Sequence, residues 1–303
     1  MPQPAERILD ANVRYHDLAA LHYDSKWGIT YNDVGQAQVT AKLSKALGRA
    51  PGTFGRALEI GAGTGYFTLN LMRAGVIGEA VATDISRGML QALERSAAEL
   101  DLPVETEVCE ASALPFDDGS FDLVFGHAVL HHLPDLPGAF GEFRRVLRPG
   151  GMVAFCGEPS RQGDRISALP KRGAYAAAPL WRALMGAAER STNGNGDGRS
   201  EEEGRLERVV DVHAFTPAEL EAHAAGAGFE SVRVRGEELA ASVFGWVNRT
   251  LEGTVESADV PQAWRIYAYR GYLLLQRLDR TLLEPRLPAA LFYNLLLSAR
   301  APG

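Results

Sequence analysis

The chain has 303 residues, 46% of them hydrophobic, enough to bury a full core in one elaborated domain or two small ones. A net charge of −7 and a pI near 5.6 argue against a nucleic-acid partner, because phosphate neutralisation needs a broad basic face; a small-molecule or carrier-borne substrate is expected instead. Cys109 and Cys156 fall in apolar strand-like runs and read as buried thiols, neither a disulfide framework nor a metal site. The N-terminus lacks a basic stretch followed by an apolar core, and no apolar run is long enough to span a bilayer. A cytoplasmic location without stable membrane insertion is therefore expected.

Residues 5–50 are expected to form amphipathic helix, an N-terminal cap over 1–50, with Leu9, Val13, Leu18 and Leu21 and then Val39, Leu43 and Leu47 at helical spacing. Pro51-Gly52 ends that unit, which Tyr15, Tyr23 and Tyr31 punctuate. Over 51–160 short apolar strands alternate with helices at 65–74, 87–100 and 138–147, and a fifth strand follows at 152–156. Such alternation predicts an α/β, doubly wound, Rossmann-like sheet with helices on both faces. Residues 161–190 read as helices broken at Pro170 and Pro179, part of a lid over 161–210 whose stretch 191–204, rich in Gly, Asn, Asp and Glu, is expected to be a mobile loop. The core resumes over 211–238: Thr216 caps a helix with Pro217 at its first position and Glu219 at its third, and Val232 and Val234 alternate with Arg233 and Arg235 in a sixth strand at 229–236. A helical insertion over 239–288 carries Trp246, Trp264, Tyr267, Tyr269 and Tyr272, and a closing strand at 291–299 falls within the last segment, 289–303.

The chemistry concentrates in Ala57-Leu58-Glu59-Ile60-Gly61-Ala62-Gly63-Thr64-Gly65-Tyr66, a buried strand running into a glycine turn. A dinucleotide fingerprint wants Gly or Ala where Tyr66 stands, and Glu59 would repel a pyrophosphate while attracting a cation. A ligand with adenosine at one end and an ammonium and sulfonium at the other, S-adenosylmethionine (SAM), suits this charge layout better. Asp84 closes the next apolar run and is placed to accept from both ribose hydroxyls, while Glu110, past a third strand-like run, would face the adenine amino group. Singly, such acids are more often turn acids or helix caps; their order along the chain is what argues for a site.

With Phe121-Asp122-Leu123-Val124, the stretch His127-Ala128-Val129-Leu130-His131-His132-Leu133-Pro134-Asp135 and Arg144-Arg145-Val146-Leu147-Arg148-Pro149-Gly150-Gly151, the chain resembles the class I SAM-dependent methyltransferases. The likeness is to the small-molecule branch that includes ubiquinone- and menaquinone-biosynthesis methyltransferases, close over 54–160 and looser in the flanks. It implies a seven-stranded, mostly parallel sheet with helical cap insertions, and methyl transfer from SAM to a small apolar or aromatic acceptor. It also implies a cofactor site at Tyr23, Glu59, Gly61, Ala62, Gly63, Asp84, Ile85, Met89, Glu110, Ala111, Ser112 and His127. Asp122, at the start of its strand, is assigned a structural role. An acceptor that must lose a proton needs a base, for which His131, His132, Glu158 and His213 are the candidates; local hydrogen bonding that fixes the loop is the competing role for the paired histidines. The apolar insertions suit packing on the chain's own sheet, a homodimer contact or an acceptor pocket. A SAM-binding regulatory or scaffold protein without turnover is the alternative function, and a nicotinamide oxidoreductase is disfavoured by Tyr66 and Glu59.

Overall fold

The computed structural model describes residues 5–20, 29–189 and 213–303. Tyr23, Leu21 and the 191–204 loop lie outside these described residues. Seven strands form one sheet in the order β3-β2-β1-β4-β5-β7-β6. They are β1 (Phe54–Ile60), β2 (Ile77–Asp84), β3 (Val104–Val108), β4 (Phe121–His127), β5 (Leu147–Pro159), β6 (Glu230–Glu237) and β7 (Asn294–Arg300). The strands β3-β2-β1-β4-β5 are parallel neighbours. Strand β7 runs antiparallel to β5: Ala301 N donates to Gly151 O at one end, and Ser160 N to Tyr293 O at the other. The chain winds outward from β1 to β3 and then returns to β4 on the other side of β1. That reversal leaves a crevice at the carboxyl ends of β1 and β4, where sheets of this kind bind ligands.

Two compact units make up the chain. One comprises residues 1–158, 205–234 and 296–303; the other comprises 159–204 and 235–295. In the first unit, alternate strand residues point to opposite faces, so both faces are packed. Ala57, Leu123, Phe125, Ala154 and Cys156 meet Val39, Leu43 and Leu47 of α2 (Asp33–Leu47) and Phe67 and Leu71 of α3 (Tyr66–Arg73). Phe155, pointing the other way, packs at a tilt against Phe143 of α5 (Leu136–Val146), ring centroids 5.1 Å apart. Leu90 and Leu93 of α4 (Arg87–Glu99) pack with Ala82 and Leu69. Helix α1 (Ala5–Ala19) precedes this core, and α7 (Pro217–Gly226) begins with the full capping box at Thr216 and Glu219. Cys156 is buried, but Cys109 lies just beyond β3 and is only half-buried.

The second unit contains α6 (Arg161–Met185), α8 (Ala240–Glu252) and α9 (Gln262–Leu278). The break expected at Pro170 and Pro179 does not occur: α6 runs through both prolines for 25 residues. Each interior proline removes one helical hydrogen bond and costs about 3 kcal/mol. Packing offsets this, because Gly163, Ser167, Ala174, Ala178 and Trp181 form a continuous buried stripe, and Trp181 sits with Leu251, Val255 and Val260. Ser160 caps the helix by accepting from Gly163 N, and Gly186 closes it in the left-handed conformation. The closing strand starts three residues later than its sequence suggests, after a single 3-10 turn at Ala289–Leu291.

Candidate active site

The glycine turn after β1 holds all three glycines at positive φ, +61° at Gly61, +55° at Gly63 and +91° at Gly65. Their neighbours differ. A Cβ on Gly61 would stand 2.4 Å from Val129 Cγ2, and one on Gly65 2.7 Å from Leu93 Cγ, so these two serve close packing. A Cβ on Gly63 would meet nothing within 4 Å. Gly63 is thus the turn residue whose backbone faces open space at the carboxyl edge. Ala62 is buried with its methyl in the core, and only its backbone can contribute to a ligand site. Tyr31 Oη donates to Thr64 O at 2.8 Å and ties the N-terminal segment to the turn.

Asp84 ends β2 beside this turn. Its Oδ2 accepts from Gly63 N and its Oδ1 from Ser86 N, both at 2.9 Å. Burial pushes its carboxyl pKa up, against the lowering effect of those backbone donors. With Ile85 N as a third backbone donor, the carboxylate still has acceptor capacity to offer a ribose hydroxyl. Ile85 is half-buried next to it, and Met89 is buried in the first turn of α4, its N–H donating to the Ser86 cap. Glu110 is exposed just past β3, followed by buried Ala111 and half-buried Ser112. Arg145 of α5 holds the following stretch by donating to Leu114 O and Phe116 O.

Glu59, near the end of β1, is buried within the fold. Its carboxylate is buried and accepts from Thr68 N at 3.0 Å and from Thr68 Oγ1. Burial pushes its pKa up to about 8, against the lowering effect of the two Thr68 donors. The position anchors α3 to β1.

A second cluster forms where β4 and β5 end, their register pairing His127 with Cys156. Glu158 is fully buried. Its Oε1 accepts from Val129 N and Leu130 N, each at 3.0 Å, and its Oε2 from His131 N at 3.1 Å. The His131 Nδ1 lies 2.8 Å from the same Oε2. Burial alone would raise the Glu158 pKa; the hydrogen bond and charge of His131, with the Leu130 and Val129 amides, outweigh it and hold the carboxyl below its ordinary range. The carboxylate is therefore ionised, and Nδ1 is the protonated ring nitrogen facing it. His132 lies against His131 with centroids 3.9 Å apart, and His213 N donates to His131 O. The His213 ring binds Leu133 O through Nε2 at 3.0 Å. All four candidate catalytic residues thus share one edge, with His213 serving as a brace. The His127 ring stacks on Phe67, 4.7 Å between centroids, and fills the space left by Gly157, leaving its backbone at the strand end for a ligand.

Sequence reasoning missed Asp17. From α1 its Oδ1 accepts from Ser86 Oγ at 2.5 Å and Gly88 N at 3.1 Å, docking α1 on the turn that carries Asp84. His16 beside it meets His132, centroids 5.7 Å apart. Asp122, assigned a structural role, accepts from Arg56 N and pairs with Arg148. A cavity of about 730 Å³ lined by Asp122 and Arg148 opens at the amino edge of the sheet, away from Asp84 and the histidine cluster.

A parallel sheet with its switch point at β1 and β4, an open glycine there and a carboxylate ending β2 define an α/β protein that binds a nucleoside-bearing cofactor. The residues fit SAM: Gly63 leaves space and Asp84 offers acceptors for ribose. Residues 58–155 match the family described as "Methyltransferase domain". The malonyl-[acyl-carrier protein] O-methyltransferase of Methylococcus capsulatus is 32% identical over 74% of this chain and 72% of its own length. The demethylmenaquinone methyltransferase of Roseiflexus castenholzii is 39% identical over 52% of this chain and 64% of its own. Against other curated relatives the chain spans only about a third of their length, 34% in two and 33% in another. Among solved structures, a Haemonchus contortus phosphoethanolamine N-methyltransferase 2 in complex with phosphomonomethylethanolamine and S-adenosylhomocysteine shares the fold, with TM-score 0.59 and 21% identity over 98% of this chain and 59% of that one. The chain belongs to the SAM-dependent methyltransferases.

Proposed function

We propose that the protein transfers a methyl group from SAM to a small, apolar or aromatic acceptor that loses a proton from oxygen or carbon, with His131 as the base. The observation that carries this reading is the buried Glu158 carboxylate bonded to His131 Nδ1 at the carboxyl edge. When bound, SAM supplies a methyl group on a cationic sulfur, with a neutral thioether as leaving group. Gly63, Asp84, Ile85, Glu110, Ala111, Ser112 and the His127 backbone hold and orient it, and alignment supplies most of the acceleration in such displacements. Glu158 keeps the His131 ring in the Nδ1–H form, which makes Nε2 the basic nitrogen. Nε2 takes the proton that the acceptor gives up, and Glu158 stabilises the imidazolium. Relatives named for malonyl-[acyl-carrier protein], demethylmenaquinone and phosphoethanolamine differ in acceptor polarity, so the acceptor class rests on the base and not on them.

The test incubates the purified protein with SAM and a panel of phenols, quinols and fatty or polyketide acids, following S-adenosylhomocysteine release. His131→Gln should lower turnover about 100-fold without weakening S-adenosylhomocysteine binding, and should flatten the pH–rate profile in the histidine range. Equal turnover in His131→Gln between about pH 6 and 9 returns the ring to a loop-fixing role. Cofactor binding with no turnover on any acceptor favours the regulatory or scaffold alternative.

A further inference from the structure

The second unit carries an apolar surface that its own packing leaves exposed. Beside the buried stripe of α6, Ile166, Leu169, Ala176, Ala177, Leu180 and Leu184 recur at helical spacing and are exposed. Leu169 and Leu184 are each 72% exposed and Leu180 67%. Arg165 and Arg172, also exposed, flank that stripe. Helix α9 has no buried residue among its 17; its exposed Ile266, Arg270, Leu274, Arg277 and Leu278 share one side. The two helices meet at Trp181 and Trp264, ring centroids 5.2 Å apart.

Charge separates the candidate occupants. Of the five basic residues of α6, Lys171 lies over the Trp246 ring and Arg182 pairs with Glu189, which leaves Arg161, Arg165 and Arg172 exposed against one acid; α9 exposes three arginines and no acid, in a chain whose net charge is −7. A two-fold contact between copies would set this basic face against itself, and like charges there oppose association. A nucleic acid would meet the arginines but leave the leucines without a partner. An anionic bilayer satisfies both: leucines enter the headgroup–acyl boundary while arginines meet phosphate. Among the described residues no helix is long and apolar enough to cross a membrane, so the contact is interfacial.

We propose that the exposed faces of α6 and α9 dock the protein peripherally on a bilayer bearing anionic headgroups. The inference is independent of the acceptor and of the base. It is tested by flotation of the full chain with vesicles of phosphatidylcholine alone or mixed with phosphatidylglycerol. Binding is expected with phosphatidylglycerol only, and should weaken as salt is raised. R165Q with R172Q should weaken partitioning roughly fivefold per arginine, about 25-fold together. L180E with L184E should abolish it while the melting temperature stays that of the parent chain, since both side chains face solvent. Absence of binding to phosphatidylglycerol vesicles, or equal binding to neutral ones, overturns the proposal. So does a dimer in solution that L180E with L184E converts to a monomer, which would assign the face to a second copy of the chain.

Discussion

Replacing Glu158 by Gln keeps the side chain's shape and removes half of what it does. Four donors converge on the carboxylate: Val129 N and Leu130 N on Oε1, and His131 N and His131 Nδ1 on Oε2. An amide oxygen can keep the first pair. The amide NH2 then faces two N–H groups in a fully buried site, so those donors lose their partner. Leaving a buried donor unsatisfied costs roughly 1–3 kcal/mol, more where a charge was involved, so about 3 kcal/mol of destabilisation is expected at neutral pH. Urea unfolding of both proteins measures it, with an unchanged slope confirming that only stability moved. The pH dependence supplies a sign. The folded-state pKa of Glu158 is depressed, so its contribution is present above the unfolded carboxyl range and is lost as pH falls through the folded value. The gap between Glu158→Gln and the parent should therefore close toward acid. A gap under about 0.5 kcal/mol at neutral pH, or one that does not close once the pH falls through the carboxyl range, would refute the picture of an ionised carboxylate organising the 129–131 turn.

Gly61→Ala and Gly63→Ala should part ways. The first forces a methyl to 2.4 Å from Val129 and should cost about 3 kcal/mol of stability by thermal or urea unfolding. The second pays only the left-handed backbone cost, about 1 kcal/mol, yet should weaken S-adenosylhomocysteine binding tenfold or more in calorimetry, because its methyl enters the ligand's space. Asp84→Ala should weaken the same ligand about 30-fold through lost ribose bonds and lower the melting temperature by releasing Gly63 and Ser86; unchanged affinity would remove the ribose assignment. Glu59, with its pKa pushed up to about 8, binds a proton in the folded chain that the unfolded chain has already released, so stability falls as pH rises from the ordinary carboxyl range to that value. Glu59→Gln should remove that slope and be the more stable protein at alkaline pH; parallel stability–pH curves would contradict the burial argument.

Local spacing made the cofactor turn legible. The glycines, Asp84 and Glu110 each close a strand, and a strand end in a parallel sheet is a place as well as a sequence position. Pairing across the sheet was not legible. His131 and Glu158 could both be named, but their bond depends on the β4–β5 register that brings the two strand ends level. Asp17 gave no warning, because an acid on an amphipathic helix usually faces water, and its partner Ser86 lies 69 residues away. The burial of Glu59 was not legible either: an acid before a glycine turn suggests a charge offered to a ligand, while desolvation in the strand interior pushes its pKa up. The prolines of α6 misled, since local backbone rules say break while a buried stripe on one side keeps the helix whole.

Val129 occupies a peculiar position in this arrangement. Its methyl fills the space that Gly61 leaves beside the cofactor turn, and its amide is one of the four donors on Glu158. One residue therefore serves as the gauge block between the glycine turn proposed to seat the cofactor and the turn that Glu158 organises around His131. Distances between the two are set by contact, with no slack to be taken up by a flexible linker. Damage at Gly61, Val129 and Glu158 should consequently fail to add: once one member is lost the separation is no longer defined, and removing the next costs less than it would alone.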